Sequence, residues 1–536
     1  MSSMITTSAW VRRGVAAQFP TKYDIDEKEM ERISKLARMQ LEDAREDLSA
    51  AQERGDGADE KDADAMEEDE KEEKEDKKDA SKKSFNDDDD LKEYDLDHYD
   101  SDEVDEDGEK VTMFGNVKSL AYHEPNEEDP YLVVPEEEED EEREELQILP
   151  TDNLLLAGKV EDEVAHLEVY VYEDEADNLY VHHDIMLPAI PLCLEWLDFP
   201  VGKSGEDASA TGNFVAVGTM EPDIEVWDLD VVDSMYPNAI LGQGGADDVK
   251  KAKKKKKSKA NDEFHVDSIL ALSANRQHRN LLASGSADRT VKLWDLNTAK
   301  AAKSYSHHTD KVCSLDWHPK ESTVLLSGSY DRTIVAADMR APDSKARWGV
   351  DADVETVRWD VHDPNFFYVT TDAGMVYRYD IRNVPATPKD SKPVWSLQAH
   401  DSSVSSFDIN PAIPGFLATG STDKQVKLWN VENDKPSMVV SRKLEVGKVF
   451  STTFAPDNEV GFRLAVAGSK GAVQIWDTST NAAVRRAFVS RMPSLQGEVQ
   501  ERMVGMQPDR DESEDEGVPE TGAGGGQDGW ESMDED

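Results

Sequence analysis

The chain has 536 residues and a formal net charge of −55 at pH 7, so it is long enough for one large repeat domain or several ordinary ones. Its two cysteines, Cys193 and Cys313, are too few for a disulfide framework or a zinc site, which favours a reducing intracellular compartment. No apolar run approaches the ~18 residues of a membrane span, and the N-terminus lacks the apolar core of a secretory signal. We therefore expect no membrane partner.

The negative charge is concentrated in two blocks of the chain. Residues 51–150 carry −30 and residues 501–536 carry −11, while residues 1–50 and 151–500 carry −1 and −13. Blocks of like charge repel each other and bury little apolar surface. The sequence therefore predicts long acidic, disordered N- and C-terminal extensions around a moderately acidic folded body.

Residues 1–50 are predicted to form an N-terminal docking segment with a short helix. Asp26 and Glu29 have the spacing of a capping box, and apolar side chains recur every three or four residues from Met30 to Leu48. This stripe is narrow, so it is compatible with a marginal solvated helix and with a helix that folds against a partner. The predicted docking residues upstream are Trp10, Arg12 and Arg13.

Residues 51–129 form an acidic arm that contains aromatic islands. The islands are LKEYDLDHYD at 91–100 and a longer stretch at 111–134. A purely solvating segment does not require tyrosine and phenylalanine, so we interpret the islands as short docking segments within a mostly disordered arm.

From about residue 145 the sequence changes to short β-type runs separated by turn residues. A similar sequence motif recurs, as in LLASGSADRTVKLWDL at 281–296 and LATGSTDKQVKLWNV at 417–431. One position of the motif, aromatic in six of its seven copies, recurs at spacings of 57, 67, 43, 42, 50 and 47 residues. The residues at this position are Tyr170, Trp227, Trp294, Ala337, Tyr379, Trp429 and Trp476. Most spacings are near the ~40–45 residues of a four-stranded propeller blade.

The sequence therefore predicts an all-β, seven-bladed WD-repeat β-propeller at residues 130–490, followed by an acidic disordered tail at 491–536. A closed ring needs one blade that is completed by both ends of the chain. The closing outer strand could be 482–490 or 130–134, and the sequence leaves both open.

Two repeats carry a full set of polar residues that can form one buried hydrogen-bonded chain. In a WD-type blade an aspartate accepts from a histidine, the histidine reaches a hydroxyl, and the hydroxyl reaches an indole N–H. The two predicted sets are His265, Ser284, Asp288 and Trp294, and His400, Thr419, Asp423 and Trp429. A partial set comprises His308, Ser327 and Asp331. We interpret all of them as structural.

A lysine-rich loop insertion occupies residues 242–262, between two predicted blades. It supplies Lys250, Lys251, Lys253, Lys254, Lys255, Lys256, Lys257 and Lys259. The interpretations are a nuclear-import signal, contact with RNA phosphate, and a solvated loop that pairs loosely with the acidic arm. Lysines without interleaved aromatics or arginines favour phosphate attraction over base readout.

Other candidate contact residues lie in turns and in the tail. Arg289, Arg332 and Lys424 each follow a turn aspartate, and we predict that they form a basic arc facing a partner, although ordinary turn residues would look the same. Ser513 lies in DESEDEG and is a candidate site for an acidophilic kinase.

Catalytic signatures are missing from the sequence. It has no phosphate-cradling glycine loop, no nucleophile elbow and no metal-spaced His/Cys cluster. We therefore expect a non-enzyme with no cofactor, no metal and no small-molecule substrate.

Three features together resemble one family. They are the opening MITTSAWVRRG, the acidic run that leads into LQILPTDNLLLAGK, and the WD array with its lysine insertion. The sequence is similar to the periodic tryptophan protein 1 family, although Ala337 and Tyr379 replace two periodic tryptophans. The resemblance implies a nuclear, mainly nucleolar protein of ribosome biogenesis.

Three functional hypotheses follow. The leading one, supported by fungal relatives, is a scaffold on early large-subunit (pre-60S) particles that binds pre-rRNA, assembly factors and ribosomal proteins. The alternative, attached to animal relatives, is a chromatin or histone binder that regulates ribosomal RNA gene transcription. A remote third is a substrate receptor of a cullin-type ubiquitin ligase, suggested by ADMR at 337–340 and YDIR at 379–382.

Overall fold

The computed structural model describes residues 3–24, 30, 33, 143–201, 211–242, 261–341, 345–488, 491 and 500–506. In these ranges the strands form seven four-stranded antiparallel sheets and one two-stranded pair. The predicted all-β, seven-bladed propeller is confirmed. All seven periodic positions of the sequence lie on the third strand of a blade.

We number the strands in chain order and give the strands of each blade from the central axis outward. Blade 1 contains β1 (Ser3–Trp10), β3 (Asn153–Glu161), β4 (Val164–Glu173) and β5 (Asn178–Leu187). Blade 2 contains β6 (Pro191–Leu197), β7 (Phe214–Thr219), β8 (Ile224–Asp228) and β10 (Ala239–Leu241). The two-stranded pair consists of β2 (Thr21–Lys22) and β9 (Val231–Val232).

The next three blades follow the same order. Blade 3 contains β11 (Ile269–Ala274), β12 (Leu281–Ser286), β13 (Val291–Asp295) and β14 (Lys300–Tyr305). Blade 4 contains β15 (Val312–Trp317), β16 (Val324–Ser329), β17 (Thr333–Asp338) and β18 (Lys345–Gly349). Blade 5 contains β19 (Val354–Trp359), β20 (Phe366–Thr371), β21 (Met375–Asp380) and β22 (Trp395–Gln398).

The last two blades complete the ring. Blade 6 contains β23 (Ser406–Ile409), β24 (Phe416–Gly420), β25 (Val426–Glu432) and β26 (Lys435–Arg442). Blade 7 contains β27 (Val449–Phe454), β28 (Arg463–Gly468), β29 (Val473–Asp477) and β30 (Met503–Met506). The inner strand of each blade contacts the inner strand of the next, and β27 contacts β1, so the ring is closed.

The inner strand of blade 1 comes from the N-terminus of the chain. β1 pairs antiparallel with β3, from Ser3 opposite Glu161 to Trp10 opposite Leu155, and its Ile5 is fully buried. The prediction that the propeller begins near residue 130 is therefore wrong. The segment MITTSAW has the β-branched residues of a strand. Residues 11–152 separate it from its partner strand, so the pairing cannot be predicted from local sequence.

The outer strand of blade 7 also differs from the prediction. β30 pairs with β29, whereas residues 482–488 form the helix α1 (Ala482–Phe488). Asn481 begins this helix, because its side-chain oxygen accepts from the backbone N–H groups of Ala483 and Val484 at 2.9 and 3.3 Å. The closing strand is therefore not 482–490, and the alternative at 130–134 lies outside the described residues.

After β1 the chain crosses from blade 1 to blade 2. The backbone N–H of Val11 donates to Leu154, and β2 pairs in parallel with β9 in the loop that follows the third strand of blade 2. The N–H of Ile148, where the chain re-enters this compact unit, donates to the carbonyl of Gln18. Residues 24–147 are therefore an insertion whose two ends are both attached to the propeller.

Residues 24–147 are a separate unit, of which the structure describes residues 24, 30, 33 and 143–147. Met30 and Ile33 are helical, as are residues 143–145. The other positions of the predicted N-terminal helix, and the acidic arm at 51–129 with its aromatic islands, lie outside the described residues.

The antiparallel order of the strands gives the propeller two different faces. Connections between first and second strands and between third and fourth strands emerge on one face, which we call the arm face. The tight turns between second and third strands and the connections between blades emerge on the opposite face, which we call the turn face. The insertion 24–147 joins β1 to β3 and is attached to the arm face, whereas the lysine insertion joins β10 to β11 and is attached to the turn face.

The position of β1 generates a prediction about a cut chain. If a site for a specific protease is placed within residues 51–129, both fragments should stay together after cleavage, because β1 is held by ladder hydrogen bonds and by the burial of Ile5. Native size-exclusion chromatography of the cleaved protein measures this. In the matched variant Ile5→Asp a buried, unpaired carboxylate costs about 3 kcal/mol or more, so its N-terminal fragment should dissociate. Loss of the wild-type fragment in native buffer would contradict the assignment of β1.

Candidate functional site

The polar sets of blades 3 and 6 are hydrogen-bonded chains inside the ring. His265 Nδ1 lies 2.9 Å from Asp288 Oδ2, His265 Nε2 lies 2.7 Å from Ser284 Oγ, and Trp294 Nε1 donates to the same hydroxyl at 2.8 Å. His265 and Ser284 are buried. Burial lowers the pKa of His265 despite its bond to Asp288, so the neutral ring donates from Nδ1 and accepts at Nε2.

Blade 6 repeats this geometry with a threonine. His400 Nδ1 lies 2.9 Å from Asp423 and His400 Nε2 lies 2.8 Å from Thr419 Oγ1, to which Trp429 donates at 2.9 Å. Each chain links the connection that enters the blade to its second and third strands. Such a paired network fixes the geometry of the blade.

Blade 4 has the same chain without its indole. His308 lies 3.2 Å from Asp331 Oδ2 and 2.8 Å from Ser327, and the Ser327 hydroxyl lies 3.3 Å from the carbonyl of Val335. Ala337 occupies the place of the tryptophan. Tyr305, from the outer strand of blade 3, lies in the same buried cluster as Ala337 and is 4% exposed.

Blade 5 carries tyrosine at the periodic position. Tyr379 stacks on Phe367 with ring centroids 5.4 Å apart, and its hydroxyl donates to the carbonyl of Gly349 in blade 4 at 3.3 Å. The ring therefore keeps the apolar contact of the periodic tryptophan, while its polar atom is satisfied by the neighbouring blade.

The three turn residues lie at one blade position on the turn face. Arg289, Arg332 and Lys424 are exposed, and each has a positive φ of 72°, 64° or 68°. Arg332 Nε pairs with Asp353 in the next blade at 3.0 Å. In blades 5 and 7 the same conformation is taken by Gly374 and Gly471. The basic positions therefore do not run unbroken around the turn face.

The predicted N-terminal docking residues have different environments. Trp10 is 8% exposed, and its indole donates to the carbonyl of Thr453 in blade 7 at 3.0 Å. The Arg13 guanidinium donates to Asn153 at 2.5 Å and to Glu459 at 3.2 Å. The docking prediction is therefore wrong for Trp10 and Arg13, whose side chains join blade 1 to blade 7. Arg12 is exposed.

The lysine insertion and the tail carry the remaining predicted residues. Leu241 ends β10 on the turn face, and the described chain resumes at Asn261. The lysines at positions 250–259 and the candidate phosphosite Ser513 lie outside the described residues, so they stay predictions.

An ionic network at the seam between blades 1 and 7 was missed by the sequence reasoning. The Arg463 guanidinium donates to Asp174 and pairs with Asp477, both at 2.7 Å, and Arg502 Nε donates to Asp177 at 2.6 Å. Burial by itself would raise the pKa of Asp174, but the hydrogen bond and charge of Arg463 outweigh burial and lower it. Arg463 and Asp174 are 289 positions apart, so no local motif signals this network.

A second missed feature links the inner strands around the ring. A carboxylate near the end of an inner strand accepts a backbone N–H from the inner strand of the next blade. The three instances, at 3.1, 2.7 and 2.7 Å, are Glu195 to Ala274, Asp316 to Trp359 and Asp408 to Phe454. The signal was present in the sequence as an acid before the last apolar residue in CLEW, SLDW and SFDI.

Burial raises the pKa of Asp316 to about 6 although the charge of Arg358, 3.9 Å away, opposes this shift. The backbone N–H groups that these inner-strand carboxylates accept account for their positions.

Within the described ranges no group of three or more His, Cys, Asp or Glu side chains is arranged to hold a metal ion. Among the same residues, no helix has the length and apolarity to cross a membrane.

Comparisons with known proteins agree with this architecture. The family model described as WD domain, G-beta repeat matches residues 258–295, 299–336 and 391–430. Periodic tryptophan protein 1 of Saccharomyces cerevisiae is 39% identical over 550 residues, which cover 93% of this chain and 92% of the yeast protein. The chain belongs to the periodic tryptophan protein 1 family.

Two other relatives support this family. An uncharacterised WD repeat-containing protein of Schizosaccharomyces pombe is 51% identical over 495 residues, covering 91% of this chain and 92% of its own. The periodic tryptophan protein 1 homolog of Drosophila melanogaster is 31% identical over 378 residues, covering 70% and 77%. The three matched WD stretches end in blades 3, 4 and 6, which are the blades with the His–hydroxyl–Asp sets described above.

The polar chains predict unequal costs for two equivalent substitutions in this periodic tryptophan protein 1 family member. Ser284→Ala leaves both His265 Nε2 and the Trp294 indole unpaired in the core, and we expect a loss of about 3 kcal/mol in the free energy of unfolding. Ser327→Ala in blade 4 removes the partner of His308 and a longer, 3.3 Å bond to the Val335 carbonyl. No indole loses a partner there, because Ala337 has none, so we expect a smaller loss of about 2 kcal/mol. Denaturant unfolding measures both, and equal costs would contradict the role given to the indole.

Two histidines outside these chains predict an acid-sensitive fold. Burial lowers the pKa of His183 and of His307 to about 4, helped by the charge of His182 in the first case and chiefly that of Lys345 in the second. Between pH 6.5 and 4 the unfolded chain therefore binds more protons than the folded one, so stability falls as the pH falls. Unfolding midpoints at pH 7 and 5 should differ less in His183→Gln and His307→Gln than in the wild type. An unchanged difference would show that these rings do not titrate as described.

Proposed function

We propose that this protein is a non-catalytic nucleolar scaffold of ribosome biogenesis. In this proposal it acts on early large-subunit (pre-60S) particles, where it binds pre-rRNA, assembly factors and ribosomal proteins. The proposal is supported by two observations together. The chain matches its family over nearly its whole length, and its closed ring has one long insertion leaving the arm face and another leaving the turn face.

The ring supplies a rigid platform. Its strands pack through buried apolar clusters that each span neighbouring blades, so the two faces hold a fixed distance and orientation. In such a fold, function resides in the connections and insertions and not in the sheets themselves. This supports a scaffold that holds several partners at once.

The two charged insertions are attached to opposite faces. The insertion 24–147 has both ends on the arm face, so the aromatic islands at 91–100 and 111–134 belong to a tethered loop and not to a free tail. A segment that folds on binding can cover a large surface, and its fixed ends would keep it beside partners of the arm face. We propose that these islands dock neighbouring assembly factors.

The lysine insertion is attached to the turn face, where Arg289, Arg332 and Lys424 also lie. We propose that its eight lysines serve nuclear import and contact RNA phosphates without reading bases. Arg332 would contribute less than the other two turn residues, because Asp353 already pairs with it at 3.0 Å.

Sedimentation tests the proposal. A tag should be placed at the C-terminus, because the N-terminal strand is buried beside Gly471 in blade 7. The tagged protein should sediment with large-subunit precursors in a density gradient and shift to light fractions after RNase treatment, because RNA holds the particle together. DNase treatment of a parallel sample is the control.

Retention on DNA after RNase treatment would contradict the scaffold and favour the alternative of a chromatin-bound regulator of ribosomal RNA genes. Sedimentation as a free protein before any nuclease is added would contradict both functions.

A further inference from the structure

A group of basic side chains lies at the outer rim where blade 3 meets blade 4. We call it the rim cluster. Its cations are Lys303 on β14, Arg340 after β17, and Lys345 and Arg347 on β18, and the neutral ring of His307 in the connection to blade 4 lies among them. Lys303, Arg340 and Lys345 are exposed, and His307 and Arg347 are half-buried. The cluster belongs to a chain whose net charge is −55.

Direct contacts hold these residues together across the two blades. The Lys303 ammonium donates to the carbonyl of Met339 at 3.4 Å, and the Tyr305 hydroxyl donates to the same carbonyl at 2.7 Å. The Arg347 guanidinium donates to the carbonyl of His307. The basic residues of blade 3 are therefore fixed beside those of blade 4 by bonds that do not use up their charge.

A buried tyrosine holds this part of the rim in the interface between blades 3 and 4. Tyr305 is buried in the cluster that contains Ala337, and its ring centroid lies 5.6 Å from that of His307. Side chains two residues apart on a strand point to the same side, so Lys303 lies on the side of β14 from which Tyr305 enters the interface. Tyr305 thus anchors the basic edge in the buried interface that also contains Ala337.

The rim cluster has few counter-charges within the described residues. Asp338 pairs with Arg340 at 2.9 Å, and Glu321 acts on Arg340 from farther away. His307 Nε2 is buried and has no hydrogen-bond partner in the described part of the chain. Lys345 and Arg347 act on this ring electrostatically. Lys303, Lys345 and Arg347 therefore present a positive edge, to which Arg340, with its side chain 73% exposed, adds a cation that Asp338 partly neutralises.

We propose that the rim cluster binds the phosphodiester backbone of RNA. This inference rests on the proposed function, which supplies pre-rRNA as the polyanion, and it adds a contact surface separate from the lysine insertion. Lysine ammonium groups and arginine guanidinium groups neutralise phosphates without reading base edges. Binding should therefore be insensitive to sequence and strongly dependent on salt.

Fluorescence anisotropy of the purified full-length protein with a labelled 20-nucleotide oligouridine tests this. The variant Lys303→Glu, Arg340→Glu, Lys345→Glu removes three exposed cations. The matched control, Lys435→Glu, Lys443→Glu, Lys448→Glu, makes the same change in net charge at exposed positions around the outer strand of blade 6. Thermal unfolding should be nearly unchanged in both variants, because all six side chains are exposed.

The rim variant should bind the oligonucleotide at least tenfold more weakly than the control variant at moderate salt. Its plot of log affinity against log salt should be shallower by about 1.4 to 2, because the loss of Lys303 and of Lys345 each removes about 0.7 on a single strand and the loss of Arg340, which pairs with Asp338, removes less. Equal effects of the two variants would overturn the proposal, as would a wild-type protein that does not bind the oligonucleotide.

Two further arms separate other sources of binding. If Lys→Gln replacement of the eight insertion lysines abolishes binding and the rim variant changes nothing, the insertion is the RNA site and the rim proposal is overturned. If the rim variant loses affinity for a polyglutamate peptide but keeps its affinity for the RNA, the rim binds an acidic protein and the proposal is likewise overturned.

The outcomes also separate the rim proposal from the proposed function. Oligouridine binding that depends on the rim, in a protein that does not sediment with large-subunit precursors, would refute only the ribosomal role. Sedimentation with precursors, together with RNA affinity that is unaffected by the rim variant, would refute only the rim site.

Discussion

The ring depends on the pairing of an eight-residue N-terminal strand with a strand that begins at Asn153. β1 supplies the inner edge of blade 1 and touches blades 2 and 7 on either side. Its Ile5 is fully buried, its Ser8 hydroxyl lies 2.8 Å from that of Ser451, and its Trp10 indole donates to blade 7. Without this strand the apolar surfaces of blades 1 and 7 would face water, which soluble proteins avoid.

Charge reinforces the same seam. The Arg463 guanidinium, with its side chain 10% exposed, lies between Asp174 of blade 1 and Asp477 of blade 7. Removing Arg463 takes the shortest ionic partner from both carboxylates, although Arg502 also lies 3.7 Å from Asp174 and 3.8 Å from Asp477. Losing a partly buried member of such a network costs more than losing a surface ion pair. Apolar burial therefore closes the ring, while the ion pairs set how blades 1 and 7 meet.

This way of closing the ring has a consequence for function. Because β1 precedes residues 11–152 and β3 follows them, the acidic insertion is tethered at both ends to the arm face. The lysine insertion enters from the turn face, and the rim cluster lies at the outer edge of blades 3 and 4. The two connections therefore leave the ring from opposite faces, and the rim cluster lies apart from the points where they leave. The polar atoms of the buried histidine chains pair with one another.

The amino-acid sequence alone determined the repeat unit. Periodic aromatic positions, turn aspartates and His–hydroxyl–Asp sets lie close together in the chain, so a blade can be predicted from local pattern, and seven such patterns predicted seven blades. The positions of His265, Ser284 and Trp294 needed no tertiary information, because one blade contains them all. The location of the lysine insertion between blades 2 and 3 followed from the same spacing.

The tertiary structure decided how the ring closes and which charges meet. MITTSAW has the residues of a strand, but only the free inner edge of β3 and the gap beside blade 7 select it as the missing strand. Arg463 meets Asp174 over 289 positions, and Lys303 meets the edge of blade 4 at the carbonyl of Met339. Local sequence determines the strands and turns of a single blade, whereas contacts between blades join residues that lie far apart in the chain.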